Sequence, residues 1–200
     1  MRVPVGATSR GYPSDGRLVE GARFPDSDLY TLKRPHLSYA STNTMAQVQR
    51  GIAGFRRRTG FAGEVLITSA SKQRGGRFLP HRSHQSGRDL DIGLLSFPIF
   101  ADGQEAVAHE VDWGATWMLI REFVDSEQVE FVFLVYPLQR KLYDAGRALG
   151  ASNETLERVF QYPRGPHSTA GVVRHAPGHK RHFHIRFRCG PSDKKCRTRG

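Results

Sequence analysis

Hydrophobic residues recur every three or four positions in residues 43–58, which is the period of an amphipathic α-helix. The apolar positions are Met45, Val48, Ile52 and Phe55. We therefore expect a helix here, although two glycines inside the segment lower its helix propensity.

Two more helices are predicted in the second half of the chain. Residues 111–125 read as a helix, and Asp112 fits its N-cap. Residues 137–150 begin with a proline and reach a glycine at Gly150, the usual order for a helix with proline in its first turn and glycine after its last.

Strands are predicted where β-branched and aromatic residues cluster or where polarity alternates. Asp89 and Asp91 alternate with Leu90 and Ile92, which indicates a strand with one polar face and one core face. The predicted strands cover residues 64–71, 88–95, 130–136 and 182–189. Residues 1–30 are predicted to be irregular, and residues 73–80 and 161–179 to be loops.

These elements mix helices and strands without regular βαβ alternation, which favours an α+β fold. We expect a single domain with a mainly antiparallel central sheet and flanking helices. Residues 1–40 would form an irregular N-terminal segment packed on a domain made of residues 41–200, since 200 residues suffice for one core.

The charge of the chain is strongly basic, with a formal net charge of +11 and a pI near 10.3. Such a balance favours polyanionic partners: nucleic acid, anionic lipid surfaces or acidic cell-wall polymers. The best local patch is 56–58, three arginines at the predicted end of a helix, although such residues usually form a solvated face.

Neither a membrane span nor a signal peptide is evident in the numbered chain. Either the protein stays in the cytoplasm or the chain is numbered without its leader. Cys189 and Cys196 are its only cysteines. They are compatible with one disulfide in an oxidising compartment, or with two free thiols.

Two short stretches, residues 81–93 and 179–189, concentrate side chains that bind metals. They contain His81, His84, Asp89, Asp91, His179, His182 and His184. A catalytic zinc usually has three protein ligands and an open position for water. Each residue alone would more often be solvated or capping, but two clusters on polar strand faces together predict a metal site.

The spacing also separates a ligand from a base. His182 and His184 share one face of a predicted strand about 6.6 Å apart, so both cannot easily bind one ion. If His184 binds, His182 lies beside the water that the metal activates, where a general base is needed. Asp91 and His84 would complete a His2Asp site, with Gly87 allowing the chain to turn between them.

Both stretches match the motifs of a known family. The sequence "HRSHQSGRDLD" fits His-x-Ser-His-x-x-Gly-x-Asp-x-Asp, and "HKRHFHIRFRC" fits His-x-x-His-x-His followed by Ile-Arg and Cys. These motifs, with "GGRF" before the first, resemble those of the penicillin-insensitive murein endopeptidases, which belong to the LAS metallopeptidases. The resemblance runs from about Glu64 to Cys196.

This resemblance implies a zinc endopeptidase with one Zn²⁺ per chain and a fold shared with the zinc domain of hedgehog proteins. Its substrate would be bacterial peptidoglycan, cleaved at a D-alanyl-diaminopimelate cross-link. The implied zinc ligands are His84, Asp91 and His184, and the implied base is His182.

Further expectations follow from the same resemblance. His81 and His179 match additional active-site histidines. A disulfide between Cys189 and Cys196 is implied, as is a periplasmic or secreted location with a signal peptide outside the numbered chain. Asp102 and Glu105 align loosely with an accessory metal site, although a solvated loop is the more frequent case.

Three other functions compete with this one. Many LAS carboxypeptidases place a glutamate base just before the last ligand, and residues 180–183 contain no carboxylate. A zinc-binding module without catalysis is disfavoured by His182 and by the open metal position. A nucleic-acid-binding protein is suggested by charge alone, and no specific nucleic acid is expected.

Overall fold

The computed structural model describes residues 3–96 and 110–198, and these form an α+β fold, as predicted. The helices are α1 (Thr42–Thr59), α2 (Trp113–Asp125), α3 (Tyr136–Ala148) and α4 (Asn153–Val159). The strands are β1 (Thr8–Tyr12), β2 (Asp15–Val19), β3 (Ala22–Arg23), β4 (Thr31–Leu32), β5 (Tyr39–Ala40), β6 (Leu66–Ser69), β7 (Asp89–Gly93), β8 (Val129–Phe133), β9 (Val173–Arg174), β10 (His182–Phe187) and β11 (Lys195–Cys196).

Six strands form the central sheet, in the order β4-β6-β7-β10-β8-β9. The inner pairings, β6 with β7, β7 with β10 and β10 with β8, are antiparallel, whereas both edge strands pair in parallel. The sheet is therefore mainly antiparallel, as expected.

One face of the sheet packs on the helices. Leu90, Ile92, Phe183 and Ile185 are fully buried and share a hydrophobic core with α1 and α2. Because residues alternate across a strand, Asp89, Asp91, His182 and His184 project from the opposite face. That second face carries the candidate site.

The glycines that weaken the helical pattern of α1 have a packing role. A Cβ on Gly51 would lie 2.3 Å from the ring of Phe123 on α2, so only glycine lets the two helices approach this closely. Ser41 caps α1 through a hydrogen bond from the Thr44 amide, and Asp112 caps α2 as predicted, through one from Ala115.

The expectation that residues 1–30 are irregular is wrong. Strands β1 and β2 form an antiparallel hairpin from Thr8↔Val19 to Tyr12↔Asp15, and β11 adds to it in parallel. The hairpin lacks a repeating apolar face, because Ser9 and Leu18 are the only buried residues of its two strands, so hydrophobic periodicity could not reveal it.

This hairpin supports the loop that carries the first histidine cluster. Gln85 donates its backbone amide to Pro13, and its side chain donates to Ser14. Ser9 donates to the Ser86 carbonyl at 2.6 Å. The N-terminal segment therefore helps to fix the position of the candidate site.

Three features in the last quarter of the chain complete the fold. Helix α4, capped by Ser152, was not predicted, and the predicted loop 161–179 contains the short edge strand β9. Cys189 and Cys196 form a disulfide, as the resemblance implied.

Candidate metal site

The two histidine-rich stretches meet on the polar face of the sheet. Strands β7 and β10 are paired in the register that puts Asp91 opposite His184 and His182 opposite Gly93. Sequence spacing could not show whether the two stretches meet. The pairing of β7 with β10 brings their residues, about ninety positions apart, into contact.

His84 reaches the site from the loop before β7. Its backbone adopts φ +66°, an uncommon conformation for a residue other than glycine. Gly87 has φ +74°, and a Cβ there would meet Leu18 of β2 at 2.6 Å, so the predicted turn at Gly87 is present and requires glycine. The His84 ring is fully buried, with Nδ1 against the Ala70 carbonyl, which points Nε2 at Asp91.

Asp91 lies at the centre of the cluster. Its Oδ1 is 3.4 Å from Nε2 of His84, 3.2 Å from Nδ1 of His184 and 3.9 Å from Nε2 of His182. Its Oδ2 lies 3.5 Å from Nδ1 of His81 and accepts a 2.9 Å hydrogen bond from Ser69. Four imidazoles therefore converge on one buried carboxylate.

Several of these atoms are placed as ligands of a metal cation would be. His84 Nε2 and Asp91 Oδ1 are buried and have no hydrogen-bond partner within the part of the chain that the structure describes. In two groups of three residues, one potential ligand atom from each residue lies within 4.8 Å of the other two. The first group is His81, His84 and Asp91, and the second is Asp91, His179 and His182. Imidazole nitrogen and carboxylate oxygen are ligands that zinc takes.

His184 lies outside both sets, yet its ring is oriented as a ligand would be. Nε2 lies 2.7 Å from Oδ1 of the buried Asp89, which also accepts a 2.7 Å hydrogen bond from Nε of Arg186. A histidine that gives one ring proton to a carboxylate leaves its other nitrogen free for a metal. That nitrogen, Nδ1, faces Asp91.

The role of Asp89 was not predicted from the sequence. Its place on the polar strand face was recognised, but alternation alone cannot say which of two aspartates faces a metal and which supports a ligand. The neighbouring Arg186 on β10 was the available signal, because a buried carboxylate needs a cationic partner.

The electrostatics of the cluster favour ionised carboxylates. Burial raises the pKa of the Asp91 carboxyl, but the surrounding imidazoles, His84 first, outweigh burial and hold this pKa well below its usual range. Burial also raises the pKa of the Asp89 carboxyl, but the charge of Arg186 and the contact with His184 outweigh burial and lower this pKa. Burial lowers the pKa of His184, but its contacts with Asp89 and Asp91 prevail and raise it to about 9.

The outer histidines differ from His184. Burial, together with the charge of His84, lowers the pKa of His81 to about 4, and burial also lowers the pKa of His179. Both rings are therefore neutral at pH 7 and offer one N–H donor and one lone pair. Phe78 packs against His81, with ring centroids 4.9 Å apart, and forms one wall of the site.

Comparison of the sequence with models of known protein families identifies the family of this chain. The model of the penicillin-insensitive murein endopeptidases matches residues 11–200. The chain belongs to this family. A comparison with curated proteins found no match. The match begins within β1, so the murein endopeptidase homology includes most of the N-terminal segment that the motifs alone did not cover.

The remaining sequence predictions can now be placed on the structure. Of the six residues implied as ligands or catalytic groups, the five histidines lie around the sixth, Asp91, whereas Asp102 and Glu105 fall outside the described residues. Within the described ranges, no helix combines the length and apolar character needed to cross a membrane.

The arginine patch at the end of α1 is largely committed to internal contacts. Arg56 donates to the carbonyls of Leu29, Phe61 and Gly63, and Arg58 pairs with Glu122 at 2.9 Å. Two of its three arginines are thus held by the fold.

Proposed function

We propose that this protein is a zinc endopeptidase that hydrolyses the D-alanyl-diaminopimelate cross-links of peptidoglycan. The observation that carries the proposal is the buried carboxylate of Asp91 beneath four imidazoles, in a chain of the murein endopeptidase family. Two of the facing atoms, on His84 and Asp91, lack hydrogen-bond partners among the described residues.

His84, Asp91 and His184 would hold one zinc ion. This set is supported by the directed nitrogens of the two histidines, each fixed by a partner on its other nitrogen, the Ala70 carbonyl and Asp89. Bound zinc would act as a Lewis acid on the scissile carbonyl and lower the pKa of water to about 7.

His182 is the proposed general base. It lies on the same strand face as His184, is half-buried, and its Nε2 is 3.9 Å from Asp91. From this position the ring takes a proton from the attacking water and gives it to the leaving amine of the cross-link. No serine is acylated in such a reaction, which would explain the insensitivity to penicillin that the family's name describes.

His81 and His179 flank the site and would stabilise the oxyanion. Both rings are partly exposed and neutral at pH 7, so each can donate an N–H to a developing negative charge. The ring of His179 lies 5.2 Å from that of His182 and 5.6 Å from that of His184.

A D-Ala-D-Ala carboxypeptidase is the second candidate, because related LAS enzymes use the same zinc chemistry. Residues 180–183 of this chain hold no carboxylate base, which favours endopeptidase activity. A periplasmic or secreted location fits both functions, since the Cys189–Cys196 disulfide requires an oxidising compartment to persist.

Mass spectrometry of purified muropeptides separates the two candidates. The zinc-loaded protein should split a cross-linked dimer into two monomers and leave the terminal D-alanine of a pentapeptide in place. Release of D-alanine with an intact dimer would assign carboxypeptidase activity instead.

A further inference from the structure

A band of aromatic and guanidinium side chains continues from the metal site towards the β9 edge of the sheet. We call it the arginine–phenylalanine platform; it consists of Phe131, Phe133, Arg174 and Arg186. Its position follows from register, because Phe133 on β8 pairs with both His184 and Arg174, and Phe131 pairs with Arg186. All four residues are half-buried.

The platform is built by stacking. Cζ of Arg174 lies 4.4 Å from the ring centroid of Phe131, and Cζ of Arg186 lies 5.4 Å from that of Phe133. The Phe133 ring is in turn 5.4 Å from the ring of His184. A substrate bound at the metal site would therefore extend directly onto this surface.

The two arginines differ in whether a carboxylate neutralises the guanidinium charge. Arg186 is paired with Asp89 through Nε. Arg174 donates Nε to the Gly171 carbonyl, and it has no carboxylate within 4.0 Å in the described parts of the chain. Burial lowers the pKa of Arg174. A partly desolvated guanidinium without an acidic partner is a site for an anion.

We propose that the arginine–phenylalanine platform binds a free carboxylate of the peptidoglycan stem peptide, with Arg174 as its main contact. This inference rests on the proposed endopeptidase function. Arg174 is two strands from His184, about 10 Å at the usual strand spacing, which equals two to three residues of extended peptide. The platform would thus select acidic peptides at that distance from the scissile bond.

A peptide explains the arrangement better than a nucleic acid does. A planar guanidinium matches a carboxylate with two parallel hydrogen bonds, and the platform begins at the ring of a proposed zinc ligand. Because a guanidinium group lies over each of the two aromatic rings, these rings are not free to stack on bases.

The test measures binding and requires no cleavage. Calorimetry would compare an uncross-linked tetrapeptide muropeptide with the same compound converted to its carboxamides, using the zinc-loaded protein. Wild type should bind the free acid about 10- to 100-fold more tightly, the range for a hydrogen bond to a charged group. Arg174→Gln should lose most of this discrimination.

Arg140→Gln is the matched control, because it removes one arginine charge from the exposed surface of α3. This variant should discriminate as wild type does. Should Arg174→Gln fail to fold, Arg174→Lys replaces it and should also lose most of the discrimination, since lysine lacks the planar fork.

Unchanged discrimination in the Arg174 variant would overturn the proposal, as would equal binding of acid and carboxamide by wild type. A single-stranded oligonucleotide that displaces the muropeptide and depends on Arg174 would assign the platform to nucleic acid and also overturn it. Cleavage of the cross-linked dimer is measured separately, so failure of the proposed function would be seen there and not in these affinities.

Discussion

At the scale of single residues, the site depends on which atom of each side chain faces Asp91. In His84 and His184, one ring nitrogen contacts a fixed partner, and this contact turns the other ring nitrogen towards Asp91. The sequence motifs singled out residues that the fold brings near one another. They could not assign ring orientation or the role of Asp89, since both depend on contacts made only after β7 and β10 pair.

Substitution of the two β10 histidines should separate ligand from base. His184→Ala should lose zinc and activity together. His182→Ala should keep zinc and the native fold but lose cleavage by about 100- to 10,000-fold, the usual contribution of a general base. Elemental analysis and dimer cleavage check both variants; zinc loss in His182→Ala with zinc retained in His184→Ala would reverse the roles.

Asp89→Asn should weaken zinc binding without removing a proposed ligand. The amide can still contact His184, but it neither carries the charge nor reliably accepts the Nε2 proton. Such partners typically contribute about 10- to 100-fold to metal affinity. Competition with a chromophoric chelator measures the zinc affinity. An affinity equal to that of wild type would show that Asp89 does not support zinc binding through His184.

At the scale of elements, hydrophobic periodicity predicted α1, cap and helix-end signals supported α2 and α3, and β-rich or alternating segments predicted the inner strands of the sheet. The β1–β2 hairpin escaped because it buries little apolar surface and is stabilised by backbone pairing and by polar contacts with the loop at residues 84–87. Helix α4 is only seven residues long and is fixed by the packing of Leu156 and Val159. Short elements of this kind depend on tertiary contacts more than on local pattern.

The connection between β6 and β7 offers a matched pair of glycine substitutions. Gly87 and Gly76 both have positive φ, but an added Cβ meets Leu18 only at Gly87. Gly76→Ala should cost about 1–2 kcal/mol of backbone strain. Gly87→Ala should cost more and also weaken zinc binding, because it displaces the loop of His84. Denaturant unfolding and zinc titration check this; equal effects of the two variants would contradict it.

At the scale of the whole molecule, strands from the N-terminal and C-terminal parts of the described chain pair with each other. Strand β11 pairs with β1, and the buried Arg88 links the start of β7 to Glu130 and to the carbonyls of Phe187 and Arg197. The disulfide lies within this region. The terminal segments therefore form part of the framework that holds the two histidine clusters together.

The state of the cysteines tests this framework and the proposed compartment. Protein made in an oxidising compartment should show no free thiol when it is denatured without reduction, because Cys189 and Cys196 are bonded. Thiol titration checks this directly. Two free thiols would contradict the bond and weaken the periplasmic or secreted assignment.

The most direct test of the central claim is cleavage of a purified cross-linked muropeptide dimer, followed by mass spectrometry with the zinc content measured on the same sample. We predict about one zinc per chain and conversion of the dimer into two monomers, lost on chelation and restored by zinc. A dimer that stays intact with one zinc bound, or cleavage that continues after all metal is removed, would contradict the account.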